Sequence, residues 1–271
     1  SQRLSQKFPI DSEEQLQGYC AVVKNFLNYI LYHKVCPEYT ADVLAARKIT
    51  DLAAKELWLI EKLSAKIPGD FNLAASILFG GRYTNVWGFG SWDDESIHTY
   101  NSTSTIRQLN KAKAELIFTT VISISGGKKD KSEVKISDIF ISKTEKKYLE
   151  VVDIQHPDIH TIEEYIQVKD SKGNPAGVKP LGIVKMKRWT RPEYEQEDCT
   201  DDESHEEDNE DQIESYLLED EILQTIFPSM KLELCVKELN IGIKFIDSFI
   251  GLNCSFNTLL PNEKMLEFKE P

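Results

Sequence analysis

Apolar residues recur at helical intervals through the first third of the chain. From Leu16 to Leu31 they return every three or four positions, which predicts one buried face on a helix of about five turns. Asp11 or Ser12 can cap the start of this helix, and Pro37 both ends it and suits the first turn of the next. The residues assigned to the buried face are Leu16, Tyr19, Cys20, Val23, Phe26, Leu27, Ile30 and Leu31.

A second helix is predicted from about residue 37 to residue 65, where alanine and leucine are frequent. Its apolar residues cover more than one side, which is typical of a helix at the centre of a domain. We expect the Phe26 side of the first helix to pack on the Ile49 and Ile60 side of the second. After a turn at residues 68–70, a short buried helix is predicted that ends at Gly80-Gly81.

From residue 113 the period of the apolar positions changes to that of strands. Alternating, β-branched stretches predict strands at residues 115–125, 133–142 and 147–155, and a hairpin between 164–169 and 178–186. Residues 232–236 and 241–249 fit either strand or helix. The sequence therefore predicts an α+β fold, in which an N-terminal long-helix scaffold (about residues 12–80) packs with a mostly antiparallel sheet from the later strands. We expect a single domain spanning residues 1–271.

Acidic residues are concentrated in one segment. The net charge is −13, and sixteen of the 45 acidic residues lie between Pro192 and Met230, where there is no Lys or Arg. The rest of the chain has 32 basic and 29 acidic residues, so the folded body is nearly neutral. A segment this highly charged cannot bury enough apolar surface to fold. We therefore predict an acidic, disordered insertion over residues 192–221.

The cysteines and the hydropathy of the chain indicate the cellular compartment in which it folds. The five cysteines are odd in number and show no CxxC spacing, which is typical of free thiols in the reducing cytosol or nucleus. No signal peptide opens the chain and no run of ~18 apolar residues occurs, so neither secretion nor a membrane span is expected.

Motifs for catalysis are weak. His156 and His160 have a metal-ligand spacing, but Pro157 lies between them and no third ligand is near in sequence, which favours a surface turn. His33 and Cys36 suggest a thiol–imidazole pair, although a buried cysteine at a helix end is the simpler interpretation. The glycines at positions 80–81 and 88–90 do not fit phosphate-binding loops. We therefore expect no enzyme, metal or cofactor, and keep an unrecognised enzyme as an alternative.

Two stretches are candidates for partner binding. Trp87, Phe89 and Trp92 lie in a Gly, Ser and Asp setting, VWGFGSWDDES, which suits exposed aromatic anchors that insert into a partner. Lys185, Lys187, Arg188 and Trp189 interleave basic residues with a tryptophan, a composition that suits RNA. The alternative in both cases is structural. The tryptophans then pack their own loop onto the core, and the basic stretch then ends a strand and balances the acidic run.

Whole phrases of the helical block resemble a known family. NYILYHKVCPEYTADVLAARKITDLAAKELW, followed by PGDFN and LFGG, resembles the fungal Argonaute-binding subunit of the Argonaute siRNA chaperone complex. The matching phrases are Tyr32-His33, 35–39, 44–49 and 68–72, within residues 26–81. The resemblance implies a non-enzymatic protein of RNA silencing in nucleus and cytoplasm. Its partners would be Argonaute carrying duplex siRNA and a further subunit of the complex.

What the family is expected to do follows from the same resemblance. Its members restrain slicing and release of the passenger strand, and they support heterochromatin formation. Argonautes bind nucleic acid in a positively charged channel, so the acidic segment, with Glu203, Glu206, Glu207 and Asp208, is a candidate electrostatic competitor. A solubilising loop is the alternative for this segment. An RNA-binding adaptor that uses the stretch around Lys185 is the alternative for the whole protein.

Overall fold

The computed structural model describes residues 12–84, 109–125, 135–169, 173–189 and 212–257. The chain divides into two compact units, which we describe separately. The helical unit comprises residues 1–62 and 253–271, and the sheet unit comprises residues 63–252. The expectation of a single domain stays a prediction.

The helical unit begins where the capping residues predict. Helix α1 spans Glu13–Tyr32, and the Ser12 hydroxyl accepts a hydrogen bond from the Gln15 N–H at 3.2 Å. A 3₁₀ turn, Pro37–Tyr39, then places the proline in its first position and leads into helix α2, Thr40–Ser64. Both predicted helices and the break at Pro37 are therefore confirmed.

The faces of α1 differ from the prediction. Leu16 is fully buried, as expected, but Phe26 is 61% exposed and Ile49 of α2 is 41% exposed. The expected packing of Phe26 on Ile49 is therefore wrong, whereas Ile60 is buried. The reason is that apolar residues extend around most of α1, and periodicity alone does not show which part of that surface the fold covers.

Polar contacts join parts of the helical unit. Lys24 of α1 forms an ion pair with Asp51 of α2 at 2.6 Å, in an exposed position where such pairs add little stability. Glu56 of α2 is 6% exposed, and its carboxylate accepts hydrogen bonds from the Ser255 N–H at 2.8 Å and hydroxyl at 2.6 Å. Glu56 therefore fixes the segment that follows the last strand.

Two packed helices form one side of the sheet unit. Helix α3, Asp70–Phe79, ends at Gly80 in the left-handed conformation, as predicted. Helix α4, Lys111–Ser125, occupies the stretch predicted as a strand, so that prediction is wrong. Its buried residues recur at helical spacing and pack in the same apolar cluster as α3, which outweighs the strand preference of its β-branched residues. They are Ala114, Ile117, Phe118 and Val121.

The sheet has five antiparallel strands in the order β3-β2-β1-β4-β5. Strand β1, Ile141–Gln155, pairs with β4, Lys231–Leu239, through its first two thirds and with β2, Leu181–Arg188, from Leu149 to its end. The edge strands are β3, Ile213–Glu219, and β5, Lys244–Asn253. Helices precede an antiparallel sheet, so the predicted α+β class is confirmed.

Helices and turns replace two other predicted strands. Residues 136–138 form a 3₁₀ turn, and β1 starts only at Ile141. Helix α5, Ile159–Gln167, replaces the strand predicted at 164–169, so the predicted hairpin is wrong, although β2 is correct. The Asp158 side chain caps α5 by accepting a hydrogen bond from the Thr161 N–H at 2.7 Å. This local cap was overlooked because the His-Pro-Asp-Ile-His sequence was interpreted as a surface turn.

The end of the predicted acidic insertion is ordered. Residues 213–219 form β3, and Asp220–Leu223 form the short helix α6, whereas residues 190–211 lie outside the described ranges. Tyr216, Leu218 and Ile222 are buried and interrupt the run of acids, which explains why this part joins the sheet. The predicted end of the insertion at residue 221 is therefore wrong.

The sheet curls so that its two edge strands approach each other. Glu214 of β3 accepts hydrogen bonds from Lys147 of β1 at 2.5 Å and from Lys244 of β5 at 2.8 Å. Although burial alone would raise the pKa of Glu214, these lysines and the Tyr216 hydroxyl lower it to about 2. The carboxylate therefore stays ionised and links the outermost strands of the sheet.

Candidate partner-binding surfaces

Several sequence candidates lie outside the described residues. They are the tryptophan loop with Trp87, Phe89 and Trp92, and the acidic residues Glu203, Glu206, Glu207 and Asp208. The aromatic anchor and the electrostatic competitor therefore both stay hypotheses.

The basic candidates lie at the end of β2. Lys185 and Lys187 alternate with the fully buried Met186, so both lysines face away from the core. Lys185 forms an ion pair with Asp153 at 3.3 Å, and Lys187 approaches Glu150 at 4.0 Å. Arg188 is exposed and Trp189 follows it directly. The structure thus brings the four residues together, but two of them are balanced by acids.

Lysines and aromatic rings also alternate across neighbouring strands. The Lys231 ammonium lies 5.0 Å from the centre of the Trp189 ring, and the Lys146 ammonium lies 5.5 Å from the centre of the Tyr148 ring. Such cation–π pairs stabilise a sheet surface and also resemble the composition of nucleic-acid platforms. Lys146 is in turn paired with Glu233 at 2.7 Å. The charge of Lys146 is therefore balanced within the fold.

The PGDFN phrase that carried the family resemblance joins α3 to both edges of the sheet. The Phe71 N–H at the start of α3 donates to the Glu219 carboxylate of β3 at 2.7 Å. The Asn72 side chain accepts from the Ile246 N–H of β5 at 2.9 Å and donates to the Pro68 carbonyl at 3.0 Å. Asn72 thus satisfies a backbone donor of an edge strand, which otherwise is open to pairing with another chain.

Glu219 is an unusual acid because it is 1% exposed. Burial raises its pKa to about 7, nearby Asp70 adds to this, and the Phe71 N–H and Lys179 oppose it. Its Oε2 atom has no hydrogen-bond partner among the residues that the structure describes. Gly69 lies against this carboxylate, since a Cβ at that position would be 2.1 Å from Oε2. These contacts give residues 68–72, the PGDFN phrase, a structural role.

A second buried acid fixes the other end of α3. Asp247 of β5 is 4% exposed, and its carboxylate accepts from the Ser76 hydroxyl at 2.7 Å and from the Arg82 N–H at 3.0 Å. Lys237 of β4 balances the charge at 3.1 Å. This network accounts for Gly81, because a Cβ at that position would lie 2.3 Å from the Asp247 carboxylate, whereas Gly80 is favoured by its left-handed backbone with φ of +82°.

The candidate histidines make other contacts in the described ranges. His33 contacts the rings of Tyr29 and Tyr32, with centroid distances of 4.2 and 5.0 Å. His156 binds Asp220 at 2.7 Å, whereas His160 is on α5 beside Glu164 at 3.5 Å. Within those ranges, no three metal-ligating side chains converge, and no helix is long and apolar enough to span a bilayer.

A cavity of about 510 Å³ opens between β3, β5 and the turn that precedes α5. His156, Asp158 and Lys244 contribute its ionisable groups, and each already has a partner, which is Asp220, the Thr161 N–H and Glu214 respectively. Its remaining lining mixes apolar side chains with Ser215 and two glycines. The cavity thus has the size of a ligand pocket, but its charges are used within the fold.

Sequence analysis missed an exposed apolar row on α1. Val22, Phe26 and Tyr29 follow at intervals of four and three residues, which places them in one row along the helix. Val22 is 68%, Phe26 61% and Tyr29 57% exposed, and Tyr32 in the last turn is 82% exposed. We call these four residues the aromatic stripe. A helical wheel would have shown this second apolar side, because only Phe26 belonged to the predicted buried face.

Comparison with known proteins gives two matches. The family model described as "Argonaute siRNA chaperone (ARC) complex subunit Arb1" matches residues 1–271. A curated relative, Argonaute-binding protein 1 of Schizosaccharomyces pombe, is 30% identical over 99 residues, which cover 35% of this chain and 25% of the relative. No solved structure gives a significant match. Since the family model covers the whole chain, the protein belongs to the Arb1 family of ARC complex subunits.

Proposed function

We propose that this chain is a non-enzymatic Argonaute-binding subunit that acts in small-RNA silencing, in nucleus and cytoplasm. Membership of the Arb1 family, matched over residues 1–271, carries the proposal. The partners are Argonaute loaded with duplex siRNA and at least one further subunit of the complex. Binding restrains slicing and passenger-strand release, and thereby supports heterochromatin formation.

The roles of the perturbed acids support a protein without catalysis. Catalytic groups are often recognised by displaced pKa values in a cleft. Here Glu214, with its pKa lowered to about 2, joins three strands, and Glu219, with its pKa raised to about 7, holds the start of α3. Both acids therefore have a structural explanation in the fold.

The acidic segment supplies a mechanism for restraint. We propose that residues 193–211, which include Glu203, Glu206, Glu207 and Asp208, compete with nucleic acid for the basic channel of Argonaute. Charge attraction of this kind is screened over ~8 Å at physiological ionic strength. A neutral Gly/Ser linker of equal length should therefore preserve binding and weaken the inhibition of slicing, most strongly at low salt. Unchanged inhibition at low salt would exclude this mechanism.

The test of the main proposal is association with nuclease-treated Argonaute. The full chain should bind RNA-free Argonaute in a pull-down with purified components, because the proposal requires a protein–protein contact. A Trp87→Ala/Trp92→Ala variant tests the tryptophan loop in the same assay, with circular dichroism as the check on folding. Failure of the wild-type chain to bind contradicts the proposal.

A second candidate function is an RNA-binding adaptor, favoured by the lysine and aromatic pairs around Trp189 and Tyr148. Phosphate contacts make binding strongly dependent on salt. The logarithm of the binding constant falls with the logarithm of the salt concentration, with a slope of about −0.7 per phosphate contact for single strands. Direct binding of single-stranded RNA by the isolated chain, with a steep salt slope that falls in Lys185→Gln/Lys187→Gln, would support the adaptor. Since acids pair with both lysines, we expect weak binding.

A further inference from the structure

We infer that the aromatic stripe of α1 is the surface that docks on Argonaute, in a groove that accepts one helix. The inference rests on the proposed function and adds the contact surface to it. Nothing in the family description assigns such a surface.

The stripe is separate from the face that holds the helical unit together. On α1, Leu16 is fully buried and Leu27 is partly buried, whereas Val22, Phe26 and Tyr29 form an exposed row about a third of a turn around the helix from them. The fold therefore leaves these side chains in water at a hydrophobic cost. Single exposed apolar residues are common on protein surfaces, but a continuous row of them marks an interaction site.

Aromatic contacts extend the row into the turn that follows α1. The His33 ring lies between those of Tyr29 and Tyr32, and Val35 and Tyr39, 57% and 58% exposed, come directly after. From the size of these side chains, the stripe with Val35 and Tyr39 exposes roughly 700 Å². That area approaches the ~800 Å² that each partner buries in a standard protein interface.

The area and composition favour a different protein over a second copy of this chain. An obligate homodimer buries about 2,000 Å² or more in total, which exceeds what two copies of this surface supply. Three of the six side chains are tyrosines, whose hydroxyls remain compatible with water while the subunit is free. Tyrosine is also enriched among the residues that dominate binding energy. An apolar row at intervals of four and three residues fits the helix-in-groove mode of recognition.

The test compares the wild-type full chain with one triple variant and one double variant that serves as its control. Val22→Gln/Phe26→Gln/Tyr29→Gln replaces three of the four stripe residues with glutamine, which is a good helix former. Ile159→Gln/Ile166→Gln is the matched control, because these α5 residues are 77% and 69% exposed and lie outside the stripe. Dissociation constants for nuclease-treated Argonaute are measured alongside melting and light scattering. Loss of one hot spot costs 2 kcal/mol or more, so the triple variant should bind at least ~30-fold more weakly.

Each outcome decides between the inference and its alternatives. Weak binding of the triple variant with unchanged melting, and normal binding of the control, support the stripe. If the wild type binds and the triple variant binds equally, Argonaute docks elsewhere and the proposed function stands. If the wild type does not bind, the proposed function fails, and this inference with it.

Two further results bear on the inference alone, and the first overturns it. A wild-type dimer that the triple variant loses would make the stripe a contact between copies. Early melting of the triple variant would indicate a structural role, and Phe26→Ser, which leaves the Tyr29–His33 ring contact in place, then decides. A folded Phe26→Ser chain that binds Argonaute normally excludes the stripe.

Discussion

Replacing Glu219 by glutamine tests whether one buried carboxyl sets the pH dependence of the sheet unit. Burial raises its pKa from an ordinary value of 4.5 to about 7. Below pH 4.5 this acid is protonated in both the folded and the unfolded chain. Between pH 4.5 and 7 the unfolded chain releases the proton while the folded chain keeps it, so the free energy of unfolding falls as pH rises. Above pH 7 the loss is complete, at about 3 kcal/mol.

Glutamine keeps the contact that holds α3 and removes the charge. Its side-chain oxygen can accept the Phe71 N–H, as the carboxylate does at 2.7 Å. Its amide nitrogen takes the place of Oε2, which has no partner in the described part of the chain. The amide N–H donors are then buried without an acceptor, which costs about 1–3 kcal/mol. At pH 8 the variant should therefore equal the wild type or exceed it by up to about 2 kcal/mol.

Urea denaturation of the full chain, followed by circular dichroism at pH 5 and pH 8, measures the difference. The difference between wild type and variant cancels the titration of the histidines, which both chains share. Glu163→Gln, which changes an exposed acid on α5, is the matched control and should show no such difference. The ionisable groups that interact with Glu219 through their charges are the same in both variants. They are Asp70, Lys179 and the Tyr165 hydroxyl. A variant that is clearly less stable than the wild type at pH 8 would refute the reasoning.

Three other substitutions follow from the same contacts. Gly69→Ala should destabilise the sheet unit by about 1–3 kcal/mol, because φ is +87° and the new Cβ would meet the Glu219 carboxylate at 2.1 Å; wild-type melting would contradict this. Asp247→Ala should cost about 3–5 kcal/mol in denaturant titrations, since it leaves the partly buried Lys237 ammonium and the buried Ser76 hydroxyl without their acid. Glu214→Gln should be less stable than the wild type at pH 7 and should lose the acid sensitivity that the wild type shows from pH 4.5 down to pH 2, because the pKa of Glu214 is lowered to about 2; equal acid unfolding of both chains would count against this.

The predictions from sequence were correct where local signals agree with the fold. The Ser12 cap, the break at Pro37 and the end of α3 at Gly80 are each encoded within a few residues. Helix α4 was missed because its β-branched residues favour a strand in isolation, and only packing with Phe71 and its neighbours in the apolar cluster makes it a helix. Residues 213–219 were missed because their acids are satisfied by lysines distant in sequence, as Glu214 is by Lys147 and Lys244.

The candidate surfaces show the same limit. The aromatic stripe lies within a helix whose period was recognised, yet the exposed side had to be read from the structure. No periodicity states which of two apolar sides is covered, because that depends on neighbours distant in sequence.

The phrases that resemble the family separate into two physical groups. Residues 68–72 hold α3 against β3 and β5 through Phe71 and Asn72, so their chemistry is explained by the fold of the sheet unit. Tyr32, Val35 and Tyr39 belong to the helical unit and remain 57–82% exposed, so folding gives no account of their apolar character. Single exposed apolar residues are common, but a contiguous group of exposed aromatic residues marks an interaction site. The second group therefore makes the turn after α1 the place to test for the proposed Argonaute contact, whereas substitutions in the first group should act on stability alone.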